Sequence, residues 1–183
     1  MTDGSLTELR RKVIDNPNLS AWEVPRALSD VTDGFLSQLY ADEIHGDSGI
    51  ALVALGGYGR SELSPSSDLD LMLVHNERDD IDALADRIWY PLWDEGFKLG
   101  HSVRSVDQTL RLAATDLETA TSLLNARLVT GDSSLVEELL ARNELQWAGQ
   151  DSERLDELAR NVARRHRLAG EVAFLLEPDL KEG

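Results

Sequence analysis

The chain has 183 residues, 42% of them apolar, which is enough for one domain with a sizeable core or a core carrying helical additions. Its 34 acidic residues against 18 basic give a net charge of −16, a field that repels phosphate backbones and argues against a nucleic-acid partner. There are no cysteines, which excludes disulfides and thiolate metal sites. The absence of a signal-like apolar core or a bilayer-length run makes a cytoplasmic protein without membrane contact the expectation.

In chain order, the first fifty residues read as helical. Ser20 and Glu23 have capping-box spacing, ahead of a face formed by Trp22, Val24, Leu28, Val31, Phe35, Leu36 and Leu39. This helix fades at "HGDSG", and "IALVALGG" then predicts a short buried strand ended by glycines. Residues 58–67 carry Gly, Ser and Pro and read as a loop, with or without a turn of helix, before a second strand, "LDLMLVH". A helix is expected over 80–93, with a kink or an early end at Pro91. "FKLGHSVR" predicts a third strand. Everything after it reads as helical: one helix capped by Thr115 and Glu118 and stopped by Gly131, one around "SLVEELLARN", and one from about Ser152 to Leu176.

The chemistry concentrates in "GGYGRSELSPSSDLDLML". Residues two apart on a strand share a face, so Asp68 and Asp70 project together about 7 Å apart, with Met72 beyond, while Leu69, Leu71 and Leu73 enter the core. Two such carboxylates repel one another unless a cation lies between them. An all-oxygen pair suits Mg²⁺, with Mn²⁺ as a second candidate, leaving positions for water and substrate phosphates. Gly56 and Gly57 open the backbone to close approach by a triphosphate, and Arg60 has a fork geometry that matches phosphate oxygens. Taken singly, Asp-x-Asp reads as a solvated strand end, Gly-Gly as a turn and Arg60 as a surface residue. Their order and spacing are far more specific than the parts, and they describe a site for metal-dependent transfer from a nucleoside triphosphate.

Gly-Gly followed at this distance by Asp-x-Asp resembles the DNA polymerase β-like nucleotidyltransferase superfamily. More narrowly, the whole stretch is similar to the N-terminal domain of the bacterial PII uridylyltransferase/uridylyl-removing enzyme family. "LWDEGFKLGHSVRSVDQTL", "ATDLETATSLLNARLVTGD" and "LLEPDLKEG" continue the resemblance in the same order, so that it covers the chain from about residue 50 onward. It implies an α/β fold: a small mixed β-sheet nucleotidyltransferase core over 49–105, a helical lead-in over 1–48 and a helical extension over 106–183. It implies Asp68 and Asp70 as the catalytic, metal-binding pair, and Gly56, Gly57, Arg60 and Ser67 as nucleotide-binding residues. The implied reaction moves UMP, or in some lineages AMP, from UTP or ATP to a tyrosine hydroxyl of the trimeric nitrogen-signalling protein PII.

Members of the superfamily commonly carry a third carboxylate on a later strand, but "KLGHSVR" holds no acid. Asp107 and Asp116 lie downstream without an assigned role, and His101 reads as structural more readily than as a base. Arg104 is a candidate either for phosphate contact or for an ion pair with an aspartate. The run "RRHR" at 164–167 reads as a solvated helix face. The family continues into a phosphohydrolase and ligand-sensing domains, so an isolated transferase domain is expected. A nucleotide-binding regulatory module without turnover, or transfer to a small-molecule hydroxyl, are the alternative functions.

Overall fold

Every residue of strand β1 (Ile50–Ala54) is buried, which places it inside a sheet rather than at its edge. The computed structural model describes residues 4–44, 49–149 and 151–169. Four strands form one mixed sheet in the order β3-β2-β1-β4, with β2 at Leu69–His75, β3 at Leu99–Ser105 and β4 at Arg127–Gly131. β1 pairs antiparallel with both β2 and β4, whereas β2 and β3 run parallel and are joined by a helix, α4 (Ile81–Asp94).

Helices α1 (Leu6–Ile14) and α2 (Val24–Glu43) precede the sheet. Leu28, Phe35, Leu36 and Tyr40 of α2 join Leu52, Leu71 and Leu73 of the sheet and Leu84, Ile88 and Leu92 of α4 in one core. Burying each such leucine or phenylalanine stabilises the fold by about 1.5–3 kcal/mol. The Tyr40 hydroxyl donates to the Ile50 carbonyl at 2.9 Å, tying α2 to β1. A one-turn helix, α3 (Gly56–Gly59), follows β1, while α5 (Val106–Ala113), α6 (Leu117–Ser122) and a 3-10 turn at Leu123–Asn125 follow β3. The remaining helices are α7 (Ser133–Ala148) and α8 (Asp151–Ala169).

Several sequence expectations change. The Ser20–Glu23 pair does bond, Ser20 N donating to Glu23 Oε2 at 2.8 Å. Even so, α2 starts only at Val24, because Pro25 fits the first helical turn, where no N–H is required. Trp22 therefore precedes the helix and is 93% exposed instead of facing the core. The α4 helix does not end early at Pro91. It stops after Asp94, where Gly96 at φ 83° turns the chain and its N–H donates to the Trp93 carbonyl at 2.8 Å. The cap of α6 is Asp116, not Thr115: the Asp116 carboxylate accepts from Thr119 N, while the Thr115 hydroxyl turns back to the Leu112 carbonyl. Residues 127–131, expected to be helical, form β4, and Gly131 ends that strand rather than a helix.

The chain divides into two compact units, residues 1–143 and 144–183. The described part of the second contains α8, whose Arg154 guanidinium lies 5.1 Å from the Trp147 ring centre. Arg164, Arg165, His166 and Arg167 are exposed on α8, in keeping with a solvated face. Among the described residues no helix is long and apolar enough to cross a membrane. The "HGDSG" break (except Gly49) and the chain beyond Ala169, including "EPDLKEG", lie outside the described residues.

Candidate active site

Alternation along β2 sets the site. Leu69, Leu71 and Leu73 belong to the core, whereas Asp70 is exposed and Asp68, immediately ahead of the strand, is half-buried. The pleat puts both acids on the face opposite the leucines, the face that Met72 continues. Met72 is buried under α5, with the Thr109 hydroxyl 3.8 Å from its sulfur. Thus α5 covers this face from Met72 onward, and the opening lies at its beginning beside Asp70, whereas Asp68, one step ahead of the strand, is not among the residues that line it.

The glycine turn lies directly beside them. Leu55 N donates to the Asp70 carbonyl at 2.9 Å, and the next residue, Gly56, has φ 55°, a conformation that favours glycine. A Cβ on Gly56 would stand 3.0 Å from Asp70 Oδ2. On the other flank Gly100 is in register with Asp70, and a Cβ there would come within 2.2 Å of Asp70 Oδ1. The Asp70 carboxylate occupies room that two glycines leave free. Gly100→Ala is accordingly expected to push this carboxylate aside and lower activity by about tenfold or more, since displacements near 1 Å cost that much in catalysis. Because the obstacle is the tip of a side chain, melting should change little, which calorimetry beside the activity assay would check.

A cleft of about 450 Å³ opens here, lined by Gly56, Asp70, Gly100, Ser102, Arg104 and Asp116 among others. Arg104 is in register with Val74, on the acid-bearing face, and is the only lysine or arginine among the described residues lining the cleft. Asp116 stands across from it. Hydrogen bonds from the Thr119 hydroxyl and then the Thr119 N–H, with the more distant Arg104 charge, hold its carboxyl below the usual carboxylate range against a small opposing effect of burial. Asp116 is thus an ionised acid that the α5–α6 corner delivers to the cleft. Asp107 is not delivered there: it pairs with Arg142 at 2.6 Å.

The other sequence candidates fall at varying distances from this centre. Arg60 is exposed and its Nε donates to Glu62 Oε2 at 2.7 Å. The Ser67 hydroxyl accepts from Ser64 N at 3.1 Å and donates to the Ser64 carbonyl at 3.0 Å, closing the corner that leads into Asp68. Arg10 of α1 braces the same corner, its Nη2 donating to the Ser64 carbonyl at 3.0 Å. Gly57 has only ordinary contacts around a built Cβ, so its role is not steric. His101 is in register with Leu71, and its ring packs 5.6 Å from Trp89 and 5.2 Å from Trp93, which are contacts of a structural histidine.

One cluster beside the turn was not foreseen. The Tyr58 hydroxyl donates to Asp33 Oδ1 at 2.6 Å, and Arg127 Nη1 donates to Asp33 Oδ2 at 2.7 Å. Arg127 also reaches the Gly59 carbonyl through Nε at 3.3 Å and lies 5.4 Å from the centre of the Tyr58 ring. Burial first, and then the Asp33 charge, push the Tyr58 hydroxyl well above the usual phenol range, so it stays a donor. A carboxylate on α2 and a guanidinium on β4, 94 residues apart, leave no local sequence signal.

No family model matches the chain. It is 50% identical over 159 residues to the bifunctional uridylyltransferase/uridylyl-removing enzyme of Streptomyces coelicolor, covering 86% of this chain and 19% of that protein. The enzyme of the same name from Mycobacterium tuberculosis is 44% identical over 138 residues, 74% of this chain and 17% of that protein. That of Phenylobacterium zucineum is 36% identical over 174 residues, 88% of this chain and 18% of that protein. A crystal structure of a toxin-antitoxin with AMP-PNP aligns at TM-score 0.44 and 12% identity, over 71% of this chain and 98% of that one. The chain spans less than a fifth of the length of the curated relatives it matches. Over those residues it belongs to the bifunctional uridylyltransferase/uridylyl-removing enzyme family.

Proposed function

We propose that the chain is a metal-dependent nucleotidyltransferase domain that moves UMP, or AMP, from UTP or ATP to a tyrosine hydroxyl of the PII signalling protein. The observation that carries the proposal is the Asp70 carboxylate seated between Gly56 and Gly100, with the guanidinium of Arg104 on the same sheet face. The donor set suits Mg²⁺ or Mn²⁺: two carboxylates are what a substrate-bridging Mg²⁺ takes from protein, the rest of its shell being water and phosphate oxygen. Asp68 and Asp70 would hold the ion. When bound, it supplies charge neutralisation as pyrophosphate leaves.

The chain's own residues do the rest. Gly56 and Gly57 let the triphosphate approach the backbone, and Arg104 offers a fixed positive charge to its oxygens. The acceptor oxygen forms a bond to the α-phosphorus, the bond to the bridging oxygen breaks, and the hydroxyl proton is lost to solvent or to a carboxylate of the cleft. Arg60 and Ser67, both engaged locally, would support the turn and the corner from outside.

The test is transfer of label from α-labelled UTP or ATP, with Mg²⁺, to PII. Label on PII with one nucleotide is the expected result; none with either nucleotide, where a full-length relative works, contradicts it. A second reading, nucleotide binding without turnover, is favoured by one observation: β3, beside the acid-bearing strand, carries Gly100 opposite Asp70 and contributes no third carboxylate. Pyrophosphate release that depends on Asp68 would dismiss this alternative.

A further inference from the structure

We propose that Arg127, held by Asp33, is a positioning residue that locks the Gly56–Gly59 turn in the geometry that receives the triphosphate, an inference that rests on the proposed nucleotide site. At four residues α3 is far too short to be stable alone, and the carbonyls at its end have no intrahelical partners to reach. Ser61 N reaches the Tyr58 carbonyl at 3.0 Å, and Arg127 adds to this: Nε donates to the Gly59 carbonyl at 3.3 Å and Nη2 gives the Tyr58 carbonyl a second donor at 3.4 Å. The same guanidinium grips both oxygens of Asp33, at 2.7 and 3.1 Å, and Asp33 Oδ1 in turn accepts from the Tyr58 hydroxyl at 2.6 Å.

Rotating or sliding the turn would therefore break three hydrogen bonds together, those of the Tyr58 hydroxyl and of the Tyr58 and Gly59 carbonyls, against an Asp33–Arg127 pair that stays closed. Charge-assisted bonds of this bidentate kind are the stronger ones and fix orientation as well as distance. The anchor is itself rigid. Tyr58 is 1% exposed, and both charged side chains are about three-quarters buried, at 30% and 26% exposure. Arg127 belongs to β4, paired with β1 through the Ala54–Arg127 register, so the strand that ends in the turn and the strand that braces it are neighbours. The bracing lies at the C-terminal end of the turn, away from Gly56, where Asp70 stands. It touches no reacting atom, which leaves Arg127 a role in placing the nucleotide rather than in bond making.

The experiment titrates the chain, Arg127→Lys, Arg127→Ala and Asp33→Asn with UTP and with ATP in Mg²⁺, and measures KM and kcat for transfer to PII. Arg127→Ala is expected to weaken nucleotide binding about tenfold, with Arg127→Lys between it and wild type. KM for the nucleotide rises in parallel, while kcat and KM for PII stay within about twofold, the signature of lost binding rather than lost chemistry. If Arg127→Ala does not fold, Arg127→Lys and Asp33→Asn carry the same comparison. Variants that melt lower yet bind nucleotide like wild type overturn the proposal, as does an equal rise in KM for nucleotide and PII. Wild type that binds neither nucleotide rejects the site itself, and this proposal with it; wild-type binding with unaltered Arg127→Lys and Asp33→Asn rejects the clamp alone.

Discussion

Asp70→Asn is expected to lower nucleotidyl transfer at least about a hundredfold while leaving the fold intact, because a metal's share of transition-state stabilisation is several kcal/mol and each 1.36 kcal/mol is tenfold. The substitution is isosteric and removes only charge. Asp70 is exposed, and the backbone contacts it makes are kept by the substitution: its carbonyl accepts from Leu55 N at 2.9 Å and its strand pairs with Gly100. Surface changes of this kind alter stability by less than about 0.5 kcal/mol, so melting should stay within about 2 °C of wild type. Asp68→Asn should behave alike in direction. Transfer kept within about tenfold of wild type in both variants would remove the two acids from the chemistry.

Gly59→Ala is the corresponding prediction for stability. A Cβ at Gly59 would lie 2.0 Å from the Asn125 carbonyl oxygen and 3.0 Å from that of Ala54, both backbone atoms that cannot rotate away. Either the end of β1 or the 3-10 turn at Leu123–Asn125 must move, at a cost of about 2–3 kcal/mol, lowering the melting temperature by about 5–10 °C. Gly34 in α2 provides the contrast, since a Cβ there meets nothing within 4 Å, and Gly34→Ala should stabilise by about 0.5–1 kcal/mol through helix propensity. Thermal unfolding of the two variants side by side checks both signs. Equal melting temperatures would contradict the close packing of α3 on the Asn125 turn.

The strand–turn–strand centre was legible because its signals are local. The all-apolar "IALVA" can only be an inner strand here, and Leu69, Leu71 and Leu73 alternating with acids state which face is core. β4 was hidden because "RLVTG" is five residues, half-buried, and follows a helical run, so neither length nor period separates it from its surroundings. Gly131 was correctly seen as a boundary but of the wrong element. Its φ of 101° ends a strand, and a Cβ there would meet the Ile50 carbonyl at 2.4 Å. Adjacent capping candidates such as Thr115 and Asp116 cannot be ranked without the geometry that lets one of them reach Thr119.

In the candidate site, the closeness of Gly56 to Asp70 was readable and that of Gly100 could have been. A lone glycine inside a strand pattern signals close approach by something, here the Asp70 carboxylate. Arg104 was a candidate from its strand alone, and the parallel pairing of β3 with β2 puts it on the acid-bearing face; Asp116 needed the fold, since only the corner between α5 and α6 brings it to the same cleft. The assignment of phosphate contact to Arg60 weakens for the opposite reason: a glutamate two residues on, Glu62, takes its guanidinium. Long-range pairs such as Asp33 with Arg127 exist only in the folded chain.

The most direct measurement is a crystal structure of the chain with Mn²⁺ and a non-hydrolysable UTP or ATP analogue, using the manganese anomalous signal to locate the ion. The predicted result is manganese bound by the Asp68 and Asp70 carboxylates, with the phosphates lying along Gly56 and Gly57. Nucleotide lodged instead in the polar cleft beside His75 and Arg142, or manganese away from both acids, would contradict the proposed site.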